Sequence, residues 1–392
     1  MKNILISSYF PLGCTGYGTQ TFYLIKYFKS MELNVSLLCW DLKLFHRFEP
    51  YTYSDIIKLC PSLLVHSNLE DIFMNIKFYS RENRKNYWKN IILRAKQCNA
   101  TSIFVFQDIV CFEDIKVEKV CPIILWYPVH SFPLNNNELI QLKNFDKIFS
   151  ISKYGREILK YYNIEATYIP HVISNIYFDD KKNKNLLRSK IGLSNETFVC
   201  LMVARNSEKE DRKAFVENIT AFSEFLKINE NSKLILHSHK YGIVEGINLM
   251  NIINRLKINM YVIFSDQKEL NSLSFKSEYI RSLYTISDVL LSASKCEGFG
   301  IPIIESQMCN TPVITTNCTA MSENTFNGVC TDVYKMGNRL DVGDNSYISW
   351  SIPSVENIKK GLEDIYNNRY KRNKLDDHFK YDSNLFHLFD II

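Results

Sequence analysis

At 392 residues, with 46% hydrophobic, 23% charged and a formal net charge of +5, the chain exceeds what one hydrophobic core usually supports. That balance is typical of a soluble globular protein with material for two cores; it excludes a disordered chain and the strongly basic profile of a dedicated nucleic-acid binder. The modest positive charge suits a partner such as an anionic nucleotide or an acidic lipid surface.

Eleven cysteines are present without a single Cys-x2-Cys pair. They read as small buried residues of a reducing compartment rather than bridges or zinc ligands. The first apolar run, residues 4–6, is too short for a signal peptide, and no stretch approaches membrane-spanning length. The expected location is cytoplasmic, at most peripheral to a membrane.

In chain order, residues 4–6 read as a buried strand. A glycine loop follows, Gly13-Cys14-Thr15-Gly16-Tyr17-Gly18-Thr19. Residues 19–31 then carry Leu24, Ile25, Phe28 and Met31 on one helical stripe. Residues 35–39 are the next strand. Residues 73–97 are polar, basic and helix-permissive. Their mixture of Lys77, Phe78, Tyr79, Arg81, Tyr87, Trp88 and Arg94 offers two readings: contact with an acidic membrane or lipid-linked acceptor, or a solvated helix whose aromatics pack on a sheet. Short strands are predicted over 102–106, 123–126 and 147–150, a helix over 153–162 and a strand over 167–169. This alternation argues a parallel sheet flanked by helices.

The polar run 179–185, rich in Asp, Lys and Asn, reads as part of an interdomain linker. The alternation then resumes: strands over 198–203, 233–237, 262–265, 288–293 and 312–315, and helices over 215–227, 282–287 and 301–309. The tail, 354–370, reads as an amphipathic helix.

The most informative stretch is Ser294-Lys295-Cys296-Glu297-Gly298-Phe299-Gly300-Ile301-Pro302-Ile303-Ile304-Glu305. It joins an apolar strand to a helix opening near Pro302, where a missing N–H costs nothing. Glycines beside Phe299 let backbone amides turn toward a ligand, and a helix N-terminus favours an anion. Two carboxylates beside an anion site make sense if they accept hydrogen bonds from hydroxyls. A phosphorylated sugar supplies both.

This string, with Thr311-Pro312-Val313-Ile314-Thr315 after it, resembles the donor-sugar motif of retaining GT-B glycosyltransferases of family 4 (glycosyl transferases group 1). The resemblance implies two Rossmann-like domains facing across a cleft, with a C-terminal helix crossing back to the first. Its boundaries here are an acceptor-side domain at 1–172, a donor domain at 173–353 and a helical segment at 354–392 returning to the first domain. It also implies a transferase that takes a UDP- or GDP-sugar as donor, needs no metal or other cofactor, and glycosylates a saccharide, glycoprotein or lipid-linked hydroxyl with retention.

The resemblance assigns the nucleotide ribose to Glu305. It gives the donor sugar to Glu297, with the Gly298-Phe299-Gly300-Ile301 turn, and the diphosphate to Arg205 with Lys213. Arg212 competes with Lys213 for that role. Such cations stabilise the charge that grows on a leaving diphosphate. Gly16 and Gly18 occupy the family's loop near the donor phosphates. His130, beyond the strand 123–126, is placed to meet the sugar or to serve structurally, and Asp108 is a weaker candidate of the same kind. His171 follows Pro170 at the family's crossover and reads as structural. No Asp-x-Asp pair occurs, and His237 with His239 read as flanking a nucleotide pocket or capping a strand. The competing functions are a GT-B phosphorylase or epimerase, which would share the fold, and a degenerate nucleotide-sugar-binding or scaffold subunit.

Overall fold

The computed structural model describes residues 2–11, 15–41, 50–59, 70–80, 86–113, 117–271, 275–340, 347–373, 375, 379 and 380. The chain divides into two compact units, one built on Met1–Val172, the other on Ile173–Arg339 and Ser349–Tyr381.

Unit 1 holds β1 (Asn3–Ser8), β2 (Asn34–Cys39), β3 (Lys77–Ser80), β4 (Ser102–Val105), β5 (Ile123–Tyr127), β6 (Lys147–Ser150) and β7 (Thr167–Tyr168). They pair in the order β3-β2-β1-β4-β5-β6-β7, every pair parallel. The central strands are buried on both faces, which explains why they read as unbroken apolar runs rather than alternating ones.

The basic and aromatic stretch 73–97 is not one helix. It splits into β3 and the helix Tyr87–Gln97, with residues 81–85, including Arg81, outside the described residues. Phe78, Tyr79 and Trp88 are buried, and the Trp88 indole donates to Gln141 Oε1 at 2.7 Å. Arg94 is buried too, its guanidinium over the Tyr79 ring. Phe78, Tyr79 and Trp88 therefore pack on the sheet.

Unit 2 holds β8 (Phe198–Val203), β9 (Ser232–His237), β10 (Val262–Phe264), β11 (Val289–Ser292), β12 (Val313–Thr316) and β13 (Asn327–Thr331). A hairpin of β14 (Val333–Leu340) and β15 (Tyr347–Pro353) follows, then β16 (Lys371–Arg372). The main sheet runs β10-β9-β8-β11-β12-β13-β16, antiparallel only at its last pair. In both units the first six strands follow the 3-2-1-4-5-6 Rossmann order, which reverses between the first and fourth strands. Ligands of such sheets bind outside the strand carboxyl ends at that reversal, here β8 beside β11 in unit 2.

Two expectations need correction. The helix Val355–Tyr366 packs within unit 2, and the rest of the tail expected to return to the first domain, 381–392, lies outside the described residues. The helix's buried stripe of Ile358, Leu362 and Ile365 joins the core formed by Phe215, Ile219, Phe222 and Phe225. Amphipathic period identifies a packing face but not the partner of that face. The polar run 179–185 is also no solvated linker. It forms the turn Lys181–Asn183 and starts the helix Lys184–Lys190. Lys181 Nζ donates to the carbonyls of Tyr284, Thr285 and Ser287 at 3.1, 3.0 and 2.7 Å, closing the C-terminus of the helix Ser277–Ile286.

Candidate functional site

The carboxyl ends of β8 and β11 open into a hollow lined by Met202, Val203, Ala204, Lys213, Leu291, Ser292, Ser294, Glu297, Gly300 and Pro302. Its floor is the turn from β11 into the helix Ile301–Met308. Gly300 caps that helix in a left-handed conformation at φ 82°, and a Cβ there would lie 2.6 Å from Ile303 Cδ1. Only glycine relieves both constraints. Proline stands at the second helical position, so the end keeps few competing donors and points its dipole at the hollow.

Glu297 is buried, 7% exposed, and forms ion pairs with both neighbouring cations. Lys213 Nζ meets Oε1, and Arg212 Nη1 meets Oε2 at 3.2 Å. Burial alone would raise this carboxyl; the charges of Lys213 and Arg212 overcome it and hold it at about 2. The two cations differ in their commitments. Arg212 also grips Glu208 with two bonds of 3.0 Å and the Cys296 carbonyl at 3.1 Å. Burial would lower its pKa, yet Glu297 and Glu208 raise it above the ordinary value. Lys213 lines the hollow and has Glu297 as its one ion-pair partner among the described residues. Of the two candidates, Lys213 has the fewer partners, and Arg212 pairs with Glu297 independently of it.

The loop carrying these cations is fastened to the loop after β11. Lys295 donates its backbone N–H to the Arg212 carbonyl at 2.8 Å, and its Nζ to the Glu210 carbonyl at 2.9 Å. Asn218 Nδ2 bridges the carbonyls of Ala214 and Ala293 at 2.8 and 3.1 Å. Asp211, itself at φ 53°, accepts from the amides of Phe215 and Val216, capping the helix Phe215–Leu226. Burial pushes its carboxyl up to about 6. Lys295 and Asp211 escaped the sequence reading because a lysine and an aspartate at loop positions carry no motif of their own. Asn218 escaped it because a polar residue within the helix Phe215–Leu226 does not show its partner.

Glu305 lies one turn into the helix Ile301–Met308 rather than in its first turn, and it is 9% exposed. Tyr284 Oη donates to its Oε2 at 2.8 Å. Burial raises its carboxyl to about 7, even though hydrogen bonds from Tyr284 and Tyr177 lower it. Phe299 is buried; its carbonyl accepts from Asn324 Nδ2 at 2.7 Å and its ring meets Phe379 edge-on. Gly298 and Ile301 are half-buried on either side of it. Arg205 follows β8, exposed and without an ion pair among the described residues. His237 is packed against Phe275, with its Nδ1 2.9 Å from Ser265 Oγ, and burial lowers its pKa to about 4.

The remaining candidates belong to unit 1. The helix there starts at Gly16, not at residue 19, so Gly16 and Gly18 form its first turn. The Gly18 amide donates to the helix cap, Thr15 Oγ1, at 3.0 Å. Gly13 and Cys14 lie outside the described residues. Asp108 accepts from Tyr17 Oη at 2.7 Å. His130 places Nδ1 3.1 Å from the Pro128 carbonyl, an arrangement within its own loop. His171 is buried edge-on against Phe106 and Trp126, and burial lowers its pKa to about 3.

Residues 265–378 match the family model described as glycosyl transferases group 1. The matched segment spans under a third of the chain. It contains the whole Glu297–Glu305 string and the hollow's β11 side. Among curated proteins the chain is 27% identical over 182 residues to alpha-monoglucosyldiacylglycerol synthase of Acholeplasma laidlawii. The match covers 45% of this chain and 38% of that relative, so the chain spans well under half of the relative's length.

Among solved structures it resembles sucrose-phosphate synthase of Thermosynechococcus elongatus, with a TM-score of 0.64 at 12% identity over 94% of this chain and 90% of that one. It also resembles Anabaena HepE in complex with UDP, with a TM-score of 0.60 at 14% identity over 94% and 92% of the two chains. At such identities the likeness establishes the fold. That fold is GT-B, with two Rossmann-like units.

Proposed function

We propose that this chain is a retaining, metal-independent glycosyltransferase that moves a sugar from a UDP- or GDP-sugar to a hydroxyl acceptor in glycan or glycoconjugate synthesis. The observation that carries the reading is the pair of Lys213 and Glu297 at the hollow between β8 and β11, beside a helix start capped by Gly300. A diphosphate in that hollow meets the helix dipole and draws Lys213 away from Glu297, with Arg205 closing from the β8 loop. Negative charge grows on the diphosphate as the glycosidic bond breaks, so fixed cations bind the transition state more tightly than the ground state. Glu297, freed from Lys213 and kept ionised by Arg212, accepts from sugar hydroxyls, and Glu305 from the ribose. The departing phosphate takes the acceptor proton on the same face of the sugar, which requires no protein nucleophile.

The Anabaena protein has been solved with UDP and with UDP-glucose, which favours a uridine donor. The name of the Acholeplasma relative favours a lipid-linked acceptor met at the membrane surface. Among the described residues no helix is long and apolar enough to cross a membrane.

Thermal denaturation with UDP, GDP and ATP in the presence of EDTA tests the donor. A nucleotide at a hundred times its dissociation constant adds about 2.7 kcal/mol. Stabilisation by UDP or GDP but not ATP supports the reading, and no response to either overturns it. Binding without turnover of any UDP- or GDP-sugar returns the chain to a scaffold role.

A further inference from the structure

Glu305 is buried without an ion-pair partner among the described residues, and two phenols surround it instead. Tyr284 Oη donates at 2.8 Å, and the Tyr177 hydroxyl donates as well. The two rings support one another edge-on, with centroids 6.0 Å apart. Tyr284 is itself fixed from behind. Its carbonyl accepts from Lys181 Nζ at 3.1 Å and from Thr311 Oγ1 at 2.7 Å. Burial, then the charge of Glu305, keeps both phenols protonated well above the usual range, so toward the carboxylate they act as donors. The other titratable neighbour is Cys309, whose thiol is pushed up to about 12 by burial and by Glu305.

We propose that Tyr177 and Tyr284 are positioning residues for nucleotide binding: their hydroxyls hold the Glu305 carboxylate so that its remaining lone pairs face a vicinal diol. An ionised carboxylate offers about four acceptor sites, and two phenol donors leave two for neighbouring hydroxyls. An unsupported carboxylate at this depth would rotate or take up a proton, and either change forfeits diol recognition. The proposal rests on the reading of unit 2 as a nucleotide-sugar site.

Calorimetric titration of UDP and 2′-deoxy-UDP across the neutral pH range tests it, using wild type, Tyr284→Phe, Tyr177→Phe and Glu305→Gln. In the wild type UDP should bind more tightly than 2′-deoxy-UDP. Tyr284→Phe should weaken UDP about tenfold, shrink that preference, and move the pH midpoint of binding upward, because a bond that favours the ionised carboxylate is gone. Tyr177→Phe should act in the same direction and replaces Tyr284→Phe if the latter does not fold. A merely structural role would weaken both nucleotides alike with no shift in midpoint. That result, or unchanged binding, overturns the proposal while leaving the donor reading intact. Failure of wild type to bind UDP overturns both, and unchanged binding by Glu305→Gln removes the diol assignment itself.

Discussion

Lys213 and Arg212 are adjacent cations with opposite obligations, and their substitution should separate activity from stability. Lys213→Met leaves Glu297 paired with Arg212, so the fold should persist while kcat/KM falls by at least about a hundredfold, as when a transition-state donor is lost. Arg212→Met strips the neighbours Glu208 and Glu297 of their guanidinium. Breaking a buried pair in this way costs about 3–5 kcal/mol. Urea denaturation beside steady-state kinetics distinguishes the two; equal losses of stability would refute the division of labour. The contest between these residues was open in the sequence, since adjacency gave no basis for choosing. In the structure Arg212 holds Glu208, Glu297 and the Cys296 carbonyl, whereas Lys213 holds Glu297.

At the scale of the element, the helix Ile301–Met308 depends on the left-handed Gly300 at its start. Gly300→Ala should destabilise by about 1–2 kcal/mol from backbone strain, with more if Ile303 cannot yield, and should weaken nucleotide binding with it. A melting temperature unchanged by this substitution would show that the turn adapts. This turn was legible in the sequence because glycine, proline and glutamate fall at positions where helix-start chemistry demands them. The strands were legible too: parallel strands buried on both faces leave unbroken apolar runs such as Phe198–Val203.

What the sequence hid are features settled by distant partners. Lys181 sits in a run of alternating charges, and nothing local shows that its ammonium will close a helix a hundred residues on. The tail's helical period was clear, yet Ile358 and Leu362 would have suited any apolar groove. Residues 73–97 concealed a strand edge, β3, because three buried residues in a four-residue strand are too few to override a basic, helix-permissive context.

At the scale of the whole molecule, the two glutamates of the site pull stability in opposite directions with pH. Glu297 has a folded pKa of about 2 against an ordinary 4.5, so its contribution is present above 4.5 and is lost as pH falls toward 2. Glu305 is the reverse. Its folded value of about 7 exceeds 4.5, so the folded protein holds an extra proton between them, and stability declines as pH rises through that window. A shift of that size corresponds to roughly 3 kcal/mol at most. Buried His171 and His237, with lowered pKa values, add stability over the same window as pH rises. The Glu305 limb is therefore read as a difference: urea midpoints across the acidic to neutral range should fall less, or rise more, with pH in Glu305→Gln than in wild type. Parallel profiles for wild type and Glu305→Gln would contradict the assignment.

The fastening of the two site loops by Lys295 and Asn218 bears on engineering. Because a lysine amine and an asparagine amide tie the segment after β8 to the segment after β11, neither can be exchanged alone without stranding carbonyls of the other. A transplant of donor preference from a relative would need to carry both segments as one cassette, and chimeras cut between them should misplace Lys213.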